Sequence, residues 1–162
     1  KKIIFKKIDA ITFVNKTKNT FDLILIKQTI HLLQIAQITK LLTVCKNKLN
    51  PGGKIIILSL DPNNNEIPAF SLMDKKLKNS LKRDIKIFNL IVKTFNNIIV
   101  KRFKFNVKIL RKEYVKMIKK RYISTLLNFN DKQILDGINE INLSYKKELK
   151  FKDRLICLIL NK

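Results

Sequence analysis

The sequence predicts an α/β fold in which a mostly parallel sheet is packed between helices. Two apolar runs carry this prediction, residues 21–26, which only Asp22 interrupts, and residues 55–60. Continuous apolar runs of this length are typical of strands that are covered on both faces. A helical pattern lies between them, so residues 21–60 predict one strand, helix, strand repeat with parallel strands.

The elements around this repeat follow from local patterns. Residues 3–8 form a short β-prone run, residues 11–14 are weakly helical, and residues 15–20 are polar turn material. From Thr29 the pattern is helical, and Asn50-Pro51-Gly52-Gly53 is expected to end that helix. Its predicted buried stripe consists of Leu33, Ala36, Leu41, Val44 and Cys45.

The second half of the chain alternates between helical and strand patterns. Residues 61–65 predict a loop, and residues 71–83 and 85–95 predict two helices. Residues 98–109 alternate as a strand does, and residues 111–127 and 131–145 predict two more helices, the last with Asp131 suited to capping. Residues 150–160 predict the final strand. No linker or repeat divides the chain, so we expect one domain over residues 1–162.

The charge balance favours anionic partners in principle. Lysine and arginine outnumber aspartate and glutamate by 35 to 12, which gives a net charge of +23 at pH 7. The basic residues are spread along the whole chain, and no run reaches the length of an interaction tail. No nucleic-acid-binding motif accompanies them, so a solvated surface is favoured over nucleic-acid binding, which remains the alternative.

Other composition features exclude several classes of site. Cys45 and Cys157 are too few for a disulfide framework or a zinc site, and we expect two reduced, buried thiols. No metal site and no membrane-spanning run is predicted. These features favour a cytoplasmic protein without a membrane partner; its oligomeric state stays open.

Several motifs together indicate a family. An acidic residue near the start of an apolar strand, Asp22, and a helix followed by Leu-Asn-Pro-Gly-Gly-Lys before an isoleucine run resemble the second half of the Rossmann-like S-adenosylmethionine-dependent methyltransferases. Residues 151–154, Phe-Lys-Asp-Arg, before a terminal apolar strand extend the resemblance. Residues 113–137 look like the class I, type 11 enzymes that act on small molecules. The resemblance implies a last strand that runs antiparallel, with helices on both faces of the sheet.

The resemblance also implies that a part of the domain is missing. In this family a glycine-rich loop after the first strand holds the cofactor, because only glycine lets the backbone approach so closely at a helix N-terminus. This chain has three glycines, and none of them forms a Gly-x-Gly loop. We therefore expect the C-terminal portion of a methyltransferase domain, without the cofactor loop, that is inactive alone. In the complete domain the cofactor would be S-adenosylmethionine and the partner a small-molecule methyl acceptor.

The resemblance assigns roles to a few residues. Asp9 and Ala10 would contact the adenine, although Asp9 is equally suited to a turn at a strand end. Lys27, Gln28 and Thr29 would line the cofactor pocket, because they follow a parallel strand at its carboxyl end.

His31 is the candidate base and a candidate acceptor contact, with a role in a pocket wall as the alternative. Arg121 and Tyr122, with Tyr114 nearby, resemble substrate-cap residues, with core packing and solvated charge as the simpler interpretations. Asp22 is expected to be structural.

A missing first half has a structural consequence. The strand over residues 21–26 would become an edge with an exposed apolar row. Another chain could supply its neighbour, residues 3–8 could pair with it, or the sequence could be a piece of a longer protein, which we favour. A degenerate module that has lost catalysis would look the same in sequence.

Overall fold

The computed structural model describes residues 3–162, which contain five α-helices and one four-stranded open sheet. The helices are α1 (Ala10–Lys16), α2 (Ile35–Asn47), α3 (Ser71–Thr94), α4 (Arg111–Lys119) and α5 (Asp131–Ser144). The strands are β1 (Phe21–Lys27), β2 (Leu49–Leu60), β3 (Ile98–Leu110) and β4 (Glu148–Asn161). Two 3-10 turns, Ile30–Leu32 and Ser124–Leu126, complete the elements.

The sheet has the order β1-β2-β4-β3, and β1 pairs with β2 in parallel. Backbone hydrogen bonds show that β4 runs the other way. The Lys162 N–H donates to the Gly53 oxygen at 3.2 Å, and the Asp61 N–H donates to the Arg154 oxygen at 2.8 Å. One residue number falls as the other rises, which is the pattern of an antiparallel pair. The predicted α/β class, with a mostly parallel sheet and an antiparallel last strand, is confirmed.

The chain forms two compact units. The first contains the chain up to Ser59 together with Ile87–Lys101 and Ile156–Lys162, and the second contains Leu60–Lys86 and Arg102–Leu155. The expectation of one domain stays a prediction.

The core of the first unit lies on one face of its strands. Helices α1 and α2 and the end of α3 supply Val14, Leu42 and Ile91, for example, and every second residue of β2 and β4 points toward them. On β2 these inward residues include Ile55 and Ile57. Each fully buried side chain of this size contributes roughly 1.5–3 kcal/mol to folding, so this face holds the unit together.

The second unit has a separate core under α4 and α5. Its buried members are Phe70, Met73, Tyr114, Ile118, Leu126, Phe129, Ile134, Ile138, Ile141 and Leu149. The Phe70 ring lies directly against the backbone of α5 at Gly137, where a Cβ atom would come within 2.6 Å of the ring carbons. Gly137 therefore allows the close approach of Phe70, which is a reason for glycine inside a helix.

Helix boundaries account for most of the wrong predictions. Residues 71–83 and 85–95 form the single helix α3, because Asp84 between them does not break a helix. The helix predicted over residues 111–127 ends at Lys119, because Arg121 adopts a left-handed φ of 50°. Asn130, and not Asp131, caps α5, with its side-chain oxygen accepting from the Gln133 N–H.

The helix predicted from Thr29 is also different. A 3-10 turn comes first, and α2 begins only at Ile35, with Gln34 as its cap. The side chains that α2 buries are Ile38, Leu41, Leu42 and Cys45, whereas Ala36 is exposed. The stripe prediction was wrong for Ala36 because the break shifts the helical phase.

The Pro-Gly-Gly segment lies inside a strand. Helix α2 ends at Asn47, and β2 starts at Leu49, so Pro51, Gly52 and Gly53 belong to β2. The pairing with β1 shifts register here, and Gly52 has a φ of 76°. The positive φ of Gly52 forms a bulge in β2, the strand beside β1. A Cβ atom at Gly53 would lie 3.0 Å from the Phe21 oxygen, so glycine allows the two backbones to approach.

The outer edge of β1 has no neighbour among residues 3–162, as predicted. The side chains of Leu23 and Leu25 are 54% and 56% exposed, on the face opposite the core. Residues 3–8 do not form the predicted strand and do not pair with β1, although Ile3, Ile4 and Phe5 are largely exposed. The described chain therefore leaves both an apolar edge and an apolar segment uncovered.

Candidate functional site

The carboxyl end of β1 displays polar side chains, as the strand order requires. Lys27 is the last residue of β1, and Gln28 and Thr29 follow it; all three are exposed. The Gln28 N–H donates to the Leu58 oxygen at 2.7 Å, and Gln28 has a left-handed φ of 51°. A non-glycine residue in this region is uncommon and ends the strand sharply. The three residues thus lie together at the edge where open α/β sheets bind ligands.

His31 lies on the same connection, in the 3-10 turn. Its neighbour Ile30 is fully buried and anchors the turn, while His31 itself is half-buried. The helical pattern from Thr29 predicted His31 inside that helix, which was wrong, since α2 starts four residues later. Its role as base or acceptor contact stays a prediction.

Asp9 caps helix α1. Its Oδ1 atom accepts a hydrogen bond from the Thr12 N–H at 2.9 Å, and this bond lowers the pKa of the exposed carboxyl. Ala10 is the first residue of the helix. The local role matches the turn alternative, and contact of Asp9 and Ala10 with adenine stays a prediction. Asp22 is structural, because it accepts from the Asn50 side chain at 2.8 Å.

Tyr114 and Tyr122 of the second unit lie against each other. The hydroxyl of Tyr114, which is fully buried, donates to the Pro68 oxygen and lies 3.0 Å from the Tyr122 hydroxyl. Burial, together with the neighbouring phenols, raises the pKa of Tyr114 far above its usual value, so it stays protonated. Burial also raises the pKa of Tyr122. Tyr114 therefore serves the packing that the simpler interpretation predicted.

Arg121 holds the connection between α4 and α5. Its Nη2 atom donates to the Phe129 oxygen at 3.2 Å and to Asp131 Oδ1 at 2.7 Å. These bonds close the loop that begins at the left-handed Arg121 itself. The substrate-binding roles of Arg121 and Tyr122 stay predictions.

Neither cysteine has the environment of a nucleophile. Both are buried and free, and burial raises the pKa of Cys45 to about 11. A thiol with a raised pKa is inert at neutral pH. Within residues 3–162, no group of three or more His, Cys, Asp or Glu side chains could hold a metal ion. No helix in the same range is long and apolar enough to cross a membrane.

Sequence reasoning missed a row of cations on β3 and β4. Just beyond the strands the Arg111 N–H donates to the Lys147 oxygen at 2.8 Å, Lys108 pairs with Glu148, and Lys101 lies near Cys157. One residue number falls as the other rises, so we infer that β3 and β4 are antiparallel with Arg111 opposite Lys147. Counting back along both strands puts three basic residues of each strand on one face. We call this set the basic face: Arg102, Lys104 and Lys108 on β3, with Lys150, Lys152 and Arg154 on β4.

Three carboxylates contact the basic face. Glu148 bonds both Lys108, at 3.2 Å, and Lys150, at 3.3 Å, as the register requires. Partial desolvation raises the pKa of Glu148, but the two ammonium groups outweigh it and the net shift is downward. Glu66 pairs with Arg154 at 2.5 Å, and this hydrogen bond lowers the pKa of Glu66.

The third carboxylate is buried Asp61, directly after β2. Its Oδ2 atom lies 3.3 Å from Arg102 Nε, and its Oδ1 atom accepts from the Asn63 N–H at 3.0 Å. The alternation of residues 102–108 was visible in sequence, but the matching row on β4 could be added only once the pairing was known.

Two open grooves adjoin the basic face. One, of about 310 Å³, is lined by Asn106, Lys108, Lys150 and Lys152 among others, with Glu66 in its wall. The other, of about 720 Å³, shares Glu66 and Lys150 with it and continues along residues 144–149. The second unit thus has a basic surface with concave relief.

The chain resembles solved methyltransferase structures. A SAM-dependent methyltransferase from Archaeoglobus fulgidus has a TM-score of 0.48 and 16% identity, over 97% of this chain and 66% of that one. A putative methyltransferase from Bacillus halodurans has a TM-score of 0.46 and 9% identity, over 92% and 68%. Phosphoethanolamine N-methyltransferase 2 from Haemonchus contortus, in complex with phosphomonomethylethanolamine and S-adenosylhomocysteine, has a TM-score of 0.39 and 15% identity, over 89% and 34%.

The chain spans 66% of the length of the first of these structures. No protein-family model and no curated protein sequence matches the chain.

Proposed function

We propose that these 162 residues are the C-terminal part of an S-adenosylmethionine-dependent methyltransferase domain that methylates a small molecule. The observation that carries the proposal is the strand order β1-β2-β4-β3 with the last strand antiparallel between two others. The sequence resemblance implies the antiparallel last strand, and it implies that the cofactor would lie at the carboxyl end of β1. Because one fold serves many functions, the proposal also depends on the site.

The uncovered side of β1 supports an incomplete domain. A parallel strand is normally covered on both faces and paired on both edges. Here α1, α2 and the end of α3 all pack on one face of the first unit, and Leu23 and Leu25 on the other face are exposed. A preceding segment that supplies strands and helices would cover both the edge and this face.

The residues present do not fit a complete cofactor site. Lys27, Gln28 and Thr29 would form one wall, and the Asp9 carboxylate would approach the adenine. None of the three glycines belongs to a glycine-rich cofactor loop. Gly52 and Gly53 belong to the bulge of β2, and Gly137 accommodates Phe70. We therefore propose that residues 1–162 alone bind little or no cofactor and are inactive.

Within the complete domain, the roles of the remaining residues are simple. S-adenosylmethionine would supply the methyl group, and transfer needs mainly proximity and in-line orientation. His31, on the connection after β1, would contact the acceptor or take its proton. Among the similar structures, several carry S-adenosylhomocysteine, including the plantazolicin methyltransferase BamL with a desmethyl substrate analogue.

The reading frame upstream of the codon for Lys1 tests this proposal. We expect it to encode a strand followed by a Gly-x-Gly loop and a helix. A stop codon directly upstream, or a frame without that loop, contradicts truncation and leaves a degenerate family member. For a frame that does contain the loop, expression of the longer protein permits a direct assay of methyl transfer.

The second candidate function is nucleic-acid binding, and the basic face favours it. Six cations on one side of two strands meet three carboxylates. An RNA-methylating enzyme would combine this surface with the same sheet. Activity of the longer protein on RNA, and not on small acceptors, would favour this candidate.

A further inference from the structure

The basic face does not stabilise the fold. In the register of β3 and β4, Lys108 lies opposite Lys150, and Lys104 lies opposite Arg154. Like charges directly opposite each other on a sheet are destabilising. Glu148 compensates the first pair and Glu66 binds Arg154, but Lys104 forms no ion pair within residues 3–162. The arrangement therefore retains excess positive charge at a cost in stability.

The same strand has a different character on its other face. Phe103 and Phe105 alternate with the cations of β3, and their side chains are 41% and 51% exposed. β3 is the outermost strand of the sheet. Its open edge thus has cations on one side and two neighbouring aromatic rings on the other, about 7 Å apart along the strand.

We propose that this edge binds single-stranded nucleic acid. The phosphates lie over Lys104 and, along the smaller groove, over Lys108, Lys150 and Lys152. Two bases reach around the edge to stack on Phe103 and Phe105. A row of cations with exposed aromatics is the combination that binds single strands without reading sequence. Binding of a compact anion would need several donors that converge on one point. These ammonium groups are instead spread along the strands, as binding to an extended chain of phosphates requires. The inference rests on the second candidate function, for which it names the surface and the class of nucleic acid. It concerns the second unit alone and does not depend on the methyltransferase proposal.

A charge-reversal experiment tests the row of cations. The chain is titrated into a fluorescein-labelled oligouridine of about 12 nucleotides, and fluorescence anisotropy is recorded at several salt concentrations. The double variant Lys104→Glu and Lys152→Glu is expected to weaken binding at least tenfold and to reduce the slope of log K against log salt by about 1.4, for two lost phosphate contacts.

The matched control is Lys75→Glu with Lys132→Glu. Both lysines are exposed in the second unit, Lys132 in the first turn of α5 and Lys75 directly after the first turn of α3, and the change in net charge is identical. We expect this control to keep most of the affinity and the slope. Equal losses in the two double variants would overturn the proposal, because binding would then follow net charge alone.

The aromatic contacts have their own test. Phe103→Leu with Phe105→Leu keeps apolar side chains and removes the rings, so we expect affinity to fall about tenfold or more while the salt slope stays unchanged. Unchanged affinity would overturn the stacking. Salt-sensitive binding to phosphatidylserine vesicles without binding to oligouridine would overturn the nucleic-acid assignment. Circular dichroism of every variant checks that it is folded.

Discussion

Asp84 is a carboxyl group buried in the middle of α3. Desolvation raises its pKa from 3.8 to about 6, and the charge of Arg83 offsets this only in part. Between these two values the folded state holds a proton that the unfolded state has released. The contribution of Asp84 to the free energy of unfolding therefore falls by roughly 2–3 kcal/mol as the pH rises from about 4 to about 6.

Replacement of this carboxyl should remove the pH dependence. We expect Asp84→Asn to raise the free energy of unfolding at pH 7 by about 1–2 kcal/mol and to flatten its change between pH 4 and pH 6. Urea unfolding across this range measures both effects. The control, Asp136→Asn, changes an exposed carboxyl in α5 and should leave the profile as in the parent chain. A profile of Asp84→Asn that keeps the parent's slope between pH 4 and pH 6 would refute the account of Asp84.

Gly137 offers a second test at a single position. Alanine normally stabilises a helix by about 1 kcal/mol relative to glycine, but here its Cβ would lie 2.6 Å from the Phe70 ring. We expect Gly137→Ala to destabilise the protein by about 1–3 kcal/mol because the ring must move. Thermal unfolding provides the measurement, with Asn139→Ala on the exposed side of α5 as the control. Stabilisation by Gly137→Ala would mean that the ring is not packed there.

At the scale of elements, β1 has two chemically different faces. Ile24 and Ile26 pack against the core, and Leu23 and Leu25 are exposed. An exposed apolar edge strand promotes association with other chains. We expect Leu23→Lys with Leu25→Lys to keep the melting temperature and reduce aggregation, as light scattering would record.

The matched control is Ile24→Lys, which places a charge against the core. We expect this single change to destabilise the chain by more than 3 kcal/mol or to unfold it. Similar stability of the two lysine variants would contradict the placement of the strand faces.

An element could be predicted from sequence when residues close together in the chain define it. All four strands that the structure contains were predicted, because apolar runs such as residues 55–60 are local signals. Residues 3–8 have the same signal but no partner strand, so they form no strand. Predictions of helix ends were wrong where a left-handed backbone conformation sets the boundary. Gln28 and Arg121 adopt this conformation, but both are ordinary polar residues in sequence.

The candidate site divides in the same way. Lys27, Gln28 and Thr29 could be placed at the carboxyl end of a strand, because parallel order follows from the intervening helix. The basic face could not be predicted, because it needs the pairing of residues 102–108 with residues 150–154, which are distant in sequence. The capping role of Asp9 was one of two alternatives, and only coordinates show the bond to Thr12.

At the scale of the whole molecule, the sheet over residues 3–162 has two edge strands, β1 and β3. Three observations support the proposal that a preceding segment belongs to the domain: the unpaired edge of β1, the exposed Leu23 and Leu25, and the lack of a Gly-x-Gly loop in the sequence. The charge of +23 concerns partners and solubility, and not the fold.

Isothermal titration with S-adenosylhomocysteine tests this central claim most directly, when it compares residues 1–162 with the same chain extended by its upstream reading frame. We predict micromolar binding by the extended chain and no measurable heat for residues 1–162. Micromolar binding by residues 1–162 alone, or none by the extended chain, would contradict the account.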